Sequence, residues 1–172
     1  TDELFSSNQY KKVLFPYSRL LIDVERFPDD EMEPKSKVGM GMIYTKTSLG
    51  EPLKCTLSSE QQATLRKLYN HHHHQLTFAV KEELLVFGSA LIIDCHSYPS
   101  QPLACDHIQV TPRAEICIGV DSYHTPDELV EYLKASFQNY GYSVQINLPY
   151  SGTIIPMEYY QKDIRVSSVM IE

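Results

Sequence analysis

The stretch of this sequence best built for chemistry is Leu91-Ile92-Ile93-Asp94-Cys95-His96-Ser97, where an apolar run gives way to an acid, a thiol, an imidazole and a hydroxyl. This is how a buried parallel strand looks when it surfaces at its carboxyl end, the place where open α/β sheets keep their sites. An imidazole there can hold a metal or a proton, and Asp94 and Ser97 can orient it from behind. Other apolar runs end in Glu25-Arg26, Asp121, Asn147 to Tyr150, and Glu172. Together they supply an imidazole ligand, a carboxylate to take a proton from bound water, and a guanidinium to grip an anionic substrate. That set suits metal-assisted hydrolysis. Two covalent alternatives fail. Cys95 and His96 are adjacent on a strand and point to opposite faces, and no GxSxG elbow surrounds Ser97.

Blander readings exist for each group. Arg26 has Asp23, Asp29 and Asp30 within ion-pairing distance in sequence, and Glu172 is the last residue. The run His71-His72-His73-His74 sits inside a helical pattern. His72 and His73 fall on its apolar face with Leu68, Tyr69 and Leu76, while His71 and His74 drift off it, so His73 is expected in the core or supporting a ligand rather than ligating.

The elements that must position these residues alternate between strand and helix. Residues 19–26 read as an apolar strand ending in charge, and residues 2–12 as a weak amphipathic helix. A Pro- and Gly-bearing excursion over 27–52 holds at most a short strand at 40–45. Ser58 and Gln61 form a capping box for a long helix that Gly88 closes. After His96 comes a Pro-rich loop to Pro112, then a strand over 115–120. A helix opens at Thr125-Pro126-Asp127-Glu128, with Thr125 as its cap, and runs to about Tyr140. Strands over 143–148 and 165–172 follow. The alternation predicts an α/β fold with a mostly parallel sheet covered on both faces, whose strand ends share one rim.

With 172 residues, 42% of them hydrophobic and 22% charged, the chain is expected to form a single globular domain. A net charge of −7 without a Lys/Arg block argues against nucleic acid or an anionic membrane surface as partner. Cys55, Cys95, Cys105 and Cys117 form no CxxC pair and read as reduced thiols; with no leader and no apolar run of about 20 residues, the expected location is the cytoplasm. The first residue is Thr1 and the last ones read as a strand tip, so the chain reads as an excised core, truncated at both ends. The oligomeric state is left open.

The segments 19–26, Gly39 to Tyr44, His72-His73 with Leu76, Asp94-Cys95-His96-Ser97, Gly119 to Pro126, and Asn147-Leu148-Pro149-Tyr150-Ser151-Gly152 resemble, in order and spacing, the N-formylglutamate amidohydrolase family. That family is similar in fold to the zinc carboxypeptidases. The resemblance implies a three-layer α/β sandwich with a mixed sheet, phosphorylase/hydrolase-like, and a zinc-dependent amidohydrolase acting on an acidic N-acyl amino acid such as N-formyl-L-glutamate, as in a late step of histidine degradation. By it, His96 is a zinc ligand and Glu172 the catalytic proton shuttle. Arg26 grips a substrate carboxylate, with Glu25 standing where Asn is usual. Tyr150 covers the pocket, Asn147, Ser151 and Gly152 line it, and Asp94, Ser97 and His73 support the ligands. The family's early zinc-binding His falls before Thr1, and the early acidic ligand either falls there too or is related to Asp2; the chain as it stands is then expected to bind zinc weakly or not at all and to be inactive. A deacylase or peptidase of other specificity, and a metal-free module for small anions, are the alternative readings.

Overall fold

A computed structural model describes residues 3–53 and 56–172. Contacts divide the chain into two compact units, one of Lys12–Leu76 with Leu103–His107, the other of Thr1–Lys11, Thr77–Pro102 and Ile108–Glu172.

The second unit holds a four-stranded sheet: β1 (Ala90–Cys95), β2 (Ile116–Gly119), β3 (Val144–Ile146) and β4 (Val166–Ile171), in the order β1-β4-β2-β3. β1 and β4 pair in parallel, with Asp94 opposite Met170 and Cys95 opposite Ile171. β2 and β3 are also parallel to each other, but β2 meets β4 antiparallel at Ile118↔Ile171 and Gly119↔Met170. The sheet is therefore mixed, and the expectation of one shared rim is corrected. The carboxyl ends of β1 and β4 lie together, beside the amino end of β2, whereas Asp121 follows β2 to the opposite end. There its carboxylate accepts the N–H groups of Tyr123 and His124. Beyond the reach of β2, this loop covers the edge of β4: Ser168 N–H donates to His124 O, and the His124 Nδ1–H to Val166 O at 2.7 Å.

The expectation of a strand buried on both faces is also corrected. β1 is the sheet's edge; Ala90 and Asp94 are buried, while Leu91 and Ile93, on the other face, are about half exposed. The core of this unit gathers Val80, Ala90, Ile155, Tyr159 and Val166.

Helix α1 (Ser59–Phe87) starts as the sequence predicts, with Ser58 N–H donating to Gln61 Oε1 at 2.8 Å and Gln61 N–H to Ser58 Oγ at 3.2 Å. Gly88 stops it at φ 75°, a left-handed conformation that costs glycine little. Helix α2 (Asp127–Asn139) has Pro126 as its N-cap and no side-chain cap. Thr125, expected in that role, instead donates to Ser168 O at 2.6 Å, and its oxygen accepts from Asp121 N–H at 2.9 Å rather than from the first turn of the helix.

In the other unit, residues 19–26 form turns rather than the expected strand. Leu21 N–H closes back on Ser18 O, Arg26 N–H on Asp23 O, and the Asp23 carboxylate accepts Glu25 N–H two residues on. One ladder-like bond remains, Asp23 N–H to Met42 O at 2.8 Å. No strand forms over 40–45, and residues 3–12 are not helical. A 3-10 helix (Pro34–Val38) begins on the Glu33 carboxylate and ends at Gly39, φ 79°. The core is Ile22, Val24, Met42, Leu65 and Tyr69. Among the described residues, no helix is long and apolar enough to cross a membrane.

Candidate active site

His96 follows the last residue of β1 directly, and its backbone N–H continues the ladder to Ile171 O at 2.9 Å. In extended chain, Asp94 and His96 lie on one side, two residues apart, so their side chains meet. His96 Nε2 lies 2.8 Å from Asp94 Oδ1, and Asp94 Oδ2 accepts Ile154 N–H at 3.0 Å. Asp94 is buried with both oxygens engaged. A carboxylate can only accept, so Nε2 donates to Asp94. Nδ1 lies 3.6 Å from Glu172 Oε1, on the adjoining tip of β4. Glu172 is fixed by a reciprocal backbone pair with Cys117, at 2.7 and 2.9 Å.

A donor nitrogen and a carboxylate oxygen turned toward each other, in side chains that are 15% and 9% exposed, form an arrangement that a proton or a cation completes. The His96 imidazole is a ligand type that fits zinc, and the Glu172 carboxylate beside it is placed as a base would be. Burial and Asp94 push the Cys95 thiol up to about 11, so it stays protonated at neutral pH. Burial also raises Cys117.

The rim continues through Tyr150, which the sequence reading singled out, and through Tyr98 and Arg113, which it did not. Cys117 Sγ donates to Tyr150 O at 3.3 Å. The Tyr150 and Tyr98 rings meet edge to face at 5.9 Å, and the Arg113 guanidinium lies 5.6 Å from the centroid of one and 5.7 Å from the other. Tyr98 donates to Ala114 O. Its phenol is raised by burial, then by Cys117 and Glu172, and is lowered by Arg113. Arg113 stands alone after Thr111-Pro112, and only its place before a strand carrying Cys117 could have flagged it.

Asn147, in left-handed backbone at φ 54°, accepts Val120 N–H on Oδ1 and donates its own N–H to Ile118 O, tying the end of β3 to β2. Ser151 and Ser97 are exposed, and Gly152 adopts φ 85°. Asp2 and Cys55 lie outside the described residues.

In the other unit, Asp23 is fully buried under Tyr44 OH at 2.5 Å, Arg19 Nε at 3.1 Å and Arg26 Nε at 3.4 Å. Burial, then Asp23, pushes the Tyr44 phenol up to about 12. Arg26 also donates through Nε to Met40 O at 3.3 Å and lies 4.0 Å from Glu33, so these contacts leave its terminal amino groups as donors. Two groups of α1 hold the backbone on either side of Glu25: His73 Nε2, 2.9 Å from Val24 O, and Tyr69 OH, donating to Arg26 O at 2.8 Å. His73 thus bonds the main chain. His72 is buried against Phe15 and His73, while His71 and His74 are exposed.

The class these features define is an α/β protein whose mixed sheet brings a histidine and two carboxylates to the joined ends of two parallel strands. A sequence model of the N-formylglutamate amidohydrolase family matches residues 1–172, and the chain belongs to that family. The crystal structure of N-formylglutamate amidohydrolase from Ralstonia eutropha JMP134 shares the fold with a TM-score of 0.75 at 24% identity, over 90% of this chain. This chain spans 61% of that protein's length. No curated protein sequence matches it at a significant level.

Proposed function

We propose that the protein is a zinc-dependent amidohydrolase that releases formate from N-formyl-L-glutamate or a closely similar N-acyl amino acid. The observation that carries this reading is the His96 cluster: Asp94 Oδ1 lies 2.8 Å from Nε2 and Glu172 Oε1 lies 3.6 Å from Nδ1, so one imidazole and two carboxylates meet at the joined ends of β1 and β4. Family membership supports amide hydrolysis as the reaction. Zinc, which His96 would hold together with further ligands, would supply a Lewis acid and lower the pKa of water.

The chain's own groups do the rest. Asp94 keeps the imidazole in the ligating tautomer and in one orientation. Glu172 takes a proton from the attacking water and returns it to the amide nitrogen as the C–N bond breaks. Arg26, its Nε anchored by Asp23 and Met40 O, offers its terminal amino groups to a substrate carboxylate. Tyr150 covers the substrate pocket. Replacing Glu172 with Gln keeps the shape and removes the base. Formate release should fall by about 10² to 10⁴-fold while zinc binding persists; full activity in Glu172→Gln would remove Glu172 from the reaction.

A further inference from the structure

Within the unit of Lys12–Leu76, Asp30, the 42–45 segment, residues 56–57 and the first two turns of α1 border a cavity of about 390 Å³. Its floor is apolar: Met42 and the Tyr44 ring are buried, and Leu57 is half-buried. Its rim carries exposed Asp30, Gln62 and Arg66. An apolar floor under a few convergent polar groups is the usual form of a small-molecule site, and the volume falls within the usual span of about 300–1,000 Å³. We propose that this cavity binds a short zwitterionic ligand with an apolar body, of the class of a free dipeptide. Asp30 takes its ammonium group and Arg66 its carboxylate.

The two charged groups are held ready for such a ligand. Neither the Asp30 carboxylate nor the Arg66 guanidinium has a hydrogen bond or ion pair among the described residues. Asp30 is nonetheless fixed in place. Its carbonyl accepts the Ser36 hydroxyl at 2.8 Å, and a Cβ added at Gly41 would lie 2.6 Å from its Oδ1, so the carboxylate rests against backbone where a side chain has no room. Arg66 follows Gln62 by four residues on α1, which puts both on one face. Gln62 Nε2 donates to Leu57 O at 3.3 Å, which leaves its amide oxygen to accept a ligand N–H. Asp30 and Arg66 do not pair with each other across the cavity, so their ligand carries its two charges apart, as a dipeptide does, rather than on one carbon, as an amino acid does. The substrate proposed above does not meet this description: an N-acyl amino acid has no cation for Asp30 and brings carboxylates that Asp30 repels. The site therefore stands whether or not the chain hydrolyses N-formyl-L-glutamate.

The test is calorimetric titration of wild type, Asp30→Asn and Arg66→Gln with L-alanyl-L-leucine, its N-acetyl derivative, its carboxamide and L-glutamate. Both positions are exposed, so both variants should melt within about 2 °C of wild type. The dipeptide should bind wild type saturably and each variant about 5-fold or more weakly. Acetylating the dipeptide should weaken its binding to wild type by a similar factor and make little difference to Asp30→Asn; amidating it should do the same for wild type and Arg66→Gln. No saturable dipeptide binding to wild type, or unchanged affinity in both variants, would overturn the site. Acetylation that weakens binding to Asp30→Asn as much as to wild type would remove Asp30 as the ammonium partner and overturn the pairing. L-glutamate binding more tightly than the dipeptide would overturn the ligand class.

Discussion

Asp23→Asn removes one negative charge from the buried centre of the unit that carries Arg26, and the structure sets how much this should cost. Tyr44 OH loses a charged acceptor at 2.5 Å, worth about 1.5–3 kcal/mol, because the amide retains a single oxygen for both Tyr44 and Glu25 N–H. Arg26, with a side chain only 20% exposed, loses its closest carboxylate, for about 1–2 kcal/mol more. Arg19 is 48% exposed and regains water, so its contribution is about 0–1 kcal/mol. The total, about 2.5–6 kcal/mol, brackets the usual cost of breaking a buried charge pair. Urea unfolding followed by tyrosine fluorescence at pH 7 should show the midpoint falling by roughly 2 M.

A second readout is independent of that sum. In the wild type, Tyr44 is raised to about 12 in the folded state against 10.0 as its ordinary value, by burial first and Asp23 second. Its stability contribution is therefore complete below pH 10 and is lost as pH rises toward 12. In Asp23→Asn that alkaline decline should narrow without vanishing, since burial remains. KM for a carboxylate substrate should rise as Arg26 loosens. A stability loss under about 1 kcal/mol would refute the view that Asp23 organises this unit.

Three further outcomes are expected. Gly119→Ala would press a Cβ into Gly152 O and Met170 Cε, and the backbone oxygen has little room to yield, so urea unfolding should show a loss of about 1–3 kcal/mol or more. Asp94→Asn can present an NH2 to His96 Nε2, which favours the tautomer with the proton on Nδ1; zinc affinity in a chelator competition should drop about 10- to 100-fold. His72 is lowered from its ordinary 6.5 by burial and by His73, against the opposing pull of Glu25, so the unfolded chain protonates first and stability should fall as pH drops below about 6.5. Its Nδ1 is buried with no hydrogen-bond partner among the described residues, so His72→Leu should flatten that acid slope and be neutral or slightly stabilising at pH 7 by thermal melting.

The sequence made the sheet unit legible because its elements obey local rules. Ser58 and Gln61 announce α1 by their spacing, and apolar runs broken by Asp94 and Glu172 announce β1 and β4. Strand direction was not legible: antiparallel pairing of β2 with β4 comes from the route of the 121–165 segment, which no window of residues encodes, and it sends Asp121 away from His96. The turn at residues 19–26 deceived for a different reason. Its hydrophobic pattern is strand-like, yet buried Asp23 draws Glu25 N–H, Tyr44 and two arginines to itself, and that local network overrides extension. Arg113 stayed hidden because its meaning lies in Tyr98 and Tyr150, which are distant in sequence.

The most direct test of the account is zinc content together with formate release from N-formyl-L-glutamate, measured on the same samples of wild type and His96→Ala, both in the chain extended to supply the family's early zinc ligand. The account predicts about one zinc per wild-type chain and formate release that a chelator abolishes, with both zinc and release lost in His96→Ala. Formate release that persists after zinc is stripped, or zinc binding unchanged in His96→Ala, would contradict it.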